Sequence, residues 1–250
     1  MRQLNVGELI RGDGWSPEWG PSAKTRIQGP IYMNKASTMT DLNVVGDVYM
    51  DSHAIGDALT NVCLQRVCIE GNLILKGPQE KGPQMWMVRV AGGRIVKPYA
   101  PMTGGDGRQH DYMDKAEWND VRVKDYSGSE PAIDLDVQYA QGGYMRNCGT
   151  EFVGGLAMRL RGEWRGGYTI DEHYDEANCR TIGHQRAGIV IEPRQDGLRT
   201  PVNGIFIRAG HLSWGAVNTD YAVETRGIAA SAVRFPIPPL TGGIPLVIRT

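Results

Sequence analysis

Residues 132–138 read AIDLDVQ, with Ile133, Leu135 and Val137 alternating against Asp134, Asp136 and Gln138. A period of two sends successive side chains to opposite faces, so this run predicts a strand with one apolar face. Residues 155–161 repeat the device, with Leu156, Met158 and Leu160 inward and Arg159 and Arg161 outward. In 203–208, Ile205 and Ile207 share one side while Phe206 and Arg208 share the other. From 188 to 235 the chain is a series of such runs (188–192, 203–208, 220–225, 227–235), each introduced by Gly, Asn or Asp. That is strand punctuation rather than helix punctuation. An earlier series occupies 42–50, 61–70, 72–75 and 85–90. Val45 to Val67 is 22 residues, Val67 to Val88 is 21 and Leu135 to Met158 is 23. A near-constant step of this size predicts an all-β β-solenoid. Counting the intermediate strands instead gives the spacing of about 8–12 residues that belongs to a β-sandwich, jelly-roll-like in this case.

The pattern divides the chain into five stretches. Residues 1–40 are turn-rich and read as an N-terminal docking segment; 41–98 form a first β array. Residues 99–130 break it: Pro98 and Pro101 flank a turn, 103–111 form a loop, and Met113, Ala116 and Glu117 sit at helical spacing within 112–120. A second array fills 131–235, and 236–250 are a Pro-rich C-terminal tail. In that tail Pro236, Pro238 and Pro239 cannot donate to a ladder, yet the following Ile, Leu and Val need burial. A neighbouring chain supplies it, which predicts a homo-oligomer.

Composition narrows this picture. The chain of 250 residues holds 33 Gly and 14 Pro, so it turns often and has few long helices. Balanced charge, 27 Lys+Arg against 28 Asp+Glu, gives a net −1 and no pull toward nucleic acid or acidic membranes. Neither a signal peptide nor a run of 18 apolar residues is visible, so the expectation is a soluble chain made in the cytoplasm. Four cysteines are too few for a disulfide scaffold and lack a C-x-x-C pair; they read as reduced, mostly buried thiols.

Several groups of residues bear on chemistry. Trp15 and Trp19, set among Gly and Pro, read as plugs on a neighbouring surface or as a sugar-stacking platform. Arg159, Arg161 and Arg165, interleaved with Trp164 and followed by Tyr168, form either an outer ion-pair ladder or a glycan or partner contact. The run Asp171, Glu172, Asp175 and Glu176 reads as a solvated acidic loop, with a hard-cation site or a glycan-cleaving pair as its sharper alternatives. His173, Cys179 and His184 lack a fourth ligand and fit no zinc spacing, so no metal or cofactor is expected. Asp51 and His53, near Asp57, read as a hydrogen-bonded surface pair, since no nucleophile accompanies them. The Gly-rich run 104–107 lacks the Lys-Ser/Thr ending of a phosphate loop and reads as a turn.

The strand NGIFIR at 203–208, the later GIAASAVRF at 227–235 and the earlier stretch 61–75 together resemble the glycine-punctuated β regions of bacteriophage fibre and tailspike proteins. The resemblance covers 41–98 and 131–235 and is one of texture, without a diagnostic motif. It implies a trimeric β-helix-like homotrimer, a virion component whose surface meets other virion proteins or a bacterial surface polysaccharide. The chain is short for a complete tailspike, which favours a small fibre, tip or head-decoration protein without enzymatic activity. A polysaccharide-degrading tailspike fragment using paired carboxylates, and a cellular carbohydrate-binding module, are the alternatives.

Overall fold

A computed structural model of the chain describes residues 2–13, 25–176, 178, 181–182, 185–194, 205–211, 219–225 and 233–234. These residues are almost entirely strand, and they build one large parallel sheet. One ladder runs from Thr38–Val45 through Cys63–Glu70 and Gln84–Ala91 to Tyr112–Lys124. It continues through Ile133–Arg146 and Gly149–Glu151 to Tyr168–Glu176 and Ile205–His211. A second passes through Val48–Asp51, Leu73–Lys76, Ile95–Lys97, the start of Ile133–Arg146, Met158–Arg165, Gln185–Glu192 and Thr219–Thr225. Among the described residues the antiparallel exception is the small hairpin of Met102–Thr103 with Gln109–His110. Parallel pairing of this extent differs from the antiparallel sheets of a jelly roll.

The register corrects part of the expected repeat. Val67 does oppose Val88, a step of 21, but Val45 opposes Glu70 and Leu42 opposes Val67, a step of 25. Leu135 likewise faces Leu160 rather than Met158, again 25 residues on. The cause lies in bends at fixed places. Asp41, Arg66, Met87, Asp120, Asn147 and Glu172 all have positive φ, between 50° and 60°. They lie at equivalent positions of successive rungs, bracketed by the same register pairs. Left-handed backbone costs a non-glycine residue about 1–2 kcal/mol, so a whole column of such residues is a built corner. A second column holds Ala36, Asn61, Lys81 and Lys115, and a third holds Gly92, Asp125 and Phe152. Each bend resets the alternation by one residue.

Inward side chains stack rung upon rung. Met39, Leu64, Met85, Trp118, Met145, Ile170 and Ile207 are register partners in sequence and all buried. Ala140 opposes Trp164, so a small residue makes room for the largest one. Ile133, Leu135, Val137, Ile205 and Ile207 face this core, as their alternation predicts. Each such burial contributes about 1.5–3 kcal/mol.

Two other expectations change. Residues 112–120 are strand, not helix: Tyr112–Lys124 pairs with the ladder on both sides, so the interruption contracts to 98–111 and the two arrays join. The helix among the described residues is the single turn Ser52–Ile55, N-capped by Asp51. Within 1–40, Arg2–Gln3, Leu9–Arg11 and Arg26–Gln28 are strands of the same sheet. The tail 236–250, with its oligomer signal, lies outside the described residues. No helix among the described residues is long and apolar enough to cross a membrane.

Candidate functional site

After Ile95–Lys97 the chain leaves the ladder, makes the hairpin at 102–110 and returns at Tyr112. This excursion walls one side of a groove of about 470 Å3, whose other wall is Gly56, Asp57 and Ala58 behind the helical turn. That volume lies in the ~300–1,000 Å3 range of small-molecule sites. Tyr112 and Tyr139 are register partners, so the ladder itself stacks their rings, with centroids 5.3 Å apart and planes 17° from parallel. The Arg165 guanidinium lies 4.2 Å from the centre of the Tyr139 ring and 3.6 Å from the Glu163 carboxylate. His110 meets Tyr112 edge-on at 6.4 Å while its Nε2 bonds Asp106 Oδ1 at 2.8 Å.

Beside the tyrosines lie Glu80, Asp114 and Gln141, with Asp114 and Gln141 partnered across adjacent strands. Burial pushes the Tyr112 hydroxyl pKa up, and the charge of Glu80 adds to the rise, followed by Tyr139 and Asp114. Burial also raises Tyr139, against the pull of Arg165. Asp57 is held below the usual carboxylate value by its hydrogen bond from Lys35. Among the described residues, no cation pairs with Glu80 or Asp114. Chemically, the groove offers a stacked tyrosine pair, capped at Tyr139 by Arg165, with a hydrogen-bonding amide and two carboxylate acceptors.

The residues singled out from the sequence lie elsewhere. Trp164 and Tyr168 are fully buried and packed edge-to-face at 4.8 Å, so neither presents a ring to a ligand. Arg159 donates to Asp134 at 3.0 and 2.7 Å. Arg161 lies 3.4 Å from Asp136 and 4.0 Å from Glu192 on the neighbouring strands. The arginines at 159 and 161 thus form an ion-pair ladder, and Arg165 stacks on Tyr139, whose ring lines the groove. The acidic run is no loop: it belongs to the strand Tyr168–Glu176, bent at Glu172. Asp171 pairs with Arg146 at 3.8 Å, Glu172 is exposed, and Glu176 accepts from the Tyr174 hydroxyl. The Asp175 side chain, Trp15, Trp19, Cys179 and His184 lie outside the described residues. Among the described residues no group of three His, Cys, Asp or Glu side chains is placed to hold a metal.

Asp51 and His53 do meet, but through the His53 backbone amide, which donates to Asp51 Oδ1 at 2.9 Å. Residues 104–107 form the hairpin turn, with the Gly107 amide donating to the Gly104 carbonyl. Cys63, Cys68 and Cys148 are free thiols. Burial pushes Cys63 and Cys68 up to about 11 and Cys148 up to about 12.

Sequence reasoning missed Glu80, Tyr112, Asp114, Tyr139 and Gln141. A signal exists: YMD at 112–114 and YAQ at 139–141 share a Tyr-x-polar pattern 27 residues apart. Compared with known proteins, the chain matches no family model, no characterised protein and no solved structure.

Proposed function

We propose that the parallel ladder winds as a β-solenoid and that the chain is a structural, glycan-binding component of a bacteriophage particle, self-associating as a homotrimer. The binding role is carried by one observation: the stacked Tyr112 and Tyr139 rings stand beside Glu80 and Asp114, which pair with no cation among the described residues. Sugar C–H faces complement tyrosine faces, and paired sugar hydroxyls donate well to carboxylates. Glu80 and Asp114 repel anionic sugars, so the groove favours neutral or amino-sugar polysaccharide over one rich in uronic acid. The particle context rests on the glycine-punctuated resemblance, and the trimer on the apolar Pro-rich tail.

Neutral and uronic-acid-rich bacterial polysaccharides immobilised side by side test this. Retention on the neutral surface, lost in Tyr112→Ala, supports the reading. Equal retention on neither surface or on both overturns it. Reducing-end release that Glu80→Gln abolishes would replace binding by hydrolysis. Failure to co-purify with particles would replace the virion role by a free lectin, and a monomeric mass by light scattering would remove the trimer.

A further inference from the structure

Lys97 occupies a place otherwise given to aliphatic residues. Its register partner is Leu135, which pairs with Leu160, which pairs with Ile191, and all three are buried. The Lys97 and Asp111 side chains are both 0% exposed and in direct contact, Nζ to Oδ1. Backbone groups fix them from both sides. Lys97 Nζ donates to the Gly77 carbonyl at 3.0 Å, and Asp111 Oδ2 accepts from the Ala100 amide at 2.5 Å. The Asp111 amide donates to Gln138 Oε1 at 3.1 Å.

An ion pair so deep is costly, because desolvation penalises both charges. Burial pulls the Lys97 amine below its ordinary value, against the opposing charge of Asp111. Asp136 lies close enough for its charge to act on Lys97 and to feel that of Asp111. Burial raises the Asp136 carboxyl in turn, though Arg161 and Arg194 each approach it at 3.4 Å. An amine and a carboxyl are therefore held in direct contact, both fully buried.

We propose that Lys97 and Asp111 condense into an intramolecular isopeptide bond that closes the base of the 98–110 excursion. A proton passes from Nζ to the Asp111 carboxylate within the pair, the freed Nζ lone pair attacks Cγ, and the Nζ–Cγ bond forms. Nζ gives up one further proton to the departing Oδ1 hydroxyl, and one water leaves. No oxidant or co-reactant is consumed. Fixed contact supplies the effective concentration, about 10⁵ M or more in well-oriented cases, that amide formation lacks in water. The product keeps an N–H for the Gly77 carbonyl and an oxygen for the Ala100 amide, while two buried charges disappear. The bond ties down the excursion that walls the groove, but it stands independently of any ligand there.

Intact mass of the folded full chain is the test. The wild type is expected one water below its sequence mass, with Lys97→Arg and Asp111→Ala at full mass. Trypsin cuts after Arg94, Arg108 and Lys115 but not between Lys97 and Pro98. The bond then joins peptide 95–108 to peptide 109–115 as one species. Wild-type protein with a folded circular-dichroism spectrum, full sequence mass and separate peptides overturns the proposal. So does a missing water with the two peptides separate. Should either single variant fail to fold, the wild-type mass and digest still decide.

Discussion

Two outer surfaces of the same sheet treat charge in opposite ways. Along the bend column, charges answer one another from rung to rung. Asp41 accepts from Arg66 Nε at 2.5 Å, Asp120 accepts from Arg89 at 2.7 Å, and Arg122 donates to Asn147 at 2.6 Å. A pocket of about 320 Å3 on that side, lined by Arg89, Asp120, Arg122, Glu151 and Tyr174, is internally compensated, with Arg122 over the Tyr174 ring. In the groove, Glu80 and Asp114 stand open beside the stacked tyrosines. The difference separates a surface whose charges answer one another from the one to which the proposed glycan contact is assigned.

Both surfaces depend on the stack beneath them, so the largest effect is expected there. Ile207→Asp places a carboxylate in the buried column of Trp118, Met145 and Ile170. Its cost of several kcal/mol matches the stability of a whole domain, and no soluble folded protein is expected. Soluble yield and the thermal midpoint check this.

The ion-paired surface comes next. Asp134 is nearly buried and serves Arg159 at 2.7 Å, Arg161 at 3.6 Å and Arg94 at 4.0 Å. Asp134→Ala removes the nearest carboxylate from Arg159, while Arg161 keeps Asp136 and Glu192, and is expected to cost about 1–3 kcal/mol in urea unfolding. Glu80→Ala, which breaks no ion pair among the described residues, is expected to cost under about 0.5 kcal/mol. Equal losses in the two variants would erase the distinction between the surfaces.

A smaller, pH-dependent effect follows from the bend column. Hydrogen bonding to Arg66 lowers the Asp41 pKa from 3.8 to about 2. Because the folded value is depressed, the stabilisation is fully present above pH 3.8 and is lost as pH falls through about 2. The difference in thermal midpoint between wild type and Arg66→Ala should therefore be constant near neutrality and shrink across that window. A difference that grows on acidification contradicts the pairing.

How much of this was legible in the sequence follows from where the bends fall. Runs without a bend, such as 133–137 and 205–207, show their buried face as plain alternation, and the structure places those faces inward. At Lys115 the left-handed residue shifts the alternation, so Met113 and Ala116, three apart, are both buried. Three-residue spacing imitates a helix, and 112–120 was misread for that reason. The misreading concealed Tyr112, and with it the groove. Glu172 does the same between Ile170 and His173, both inward, which made a bent strand look like an acidic loop. Trp164 and Tyr168 misled differently: an indole beside arginines reads as a surface platform, but in 158–165 the alternation sends Trp164 inward opposite Ala140.

The contrast between the surfaces is tested most directly by neutral-polysaccharide binding isotherms of Tyr139→Ala and Arg66→Ala, both confirmed folded. Removing the Tyr139 ring from the stack is expected to weaken binding about tenfold or more, roughly 1.4 kcal/mol. Removing Arg66 from the bend column is expected to change affinity less than about twofold while lowering the thermal midpoint. Unchanged affinity in Tyr139→Ala together with lost affinity in Arg66→Ala would contradict the account, moving the binding surface to the compensated side.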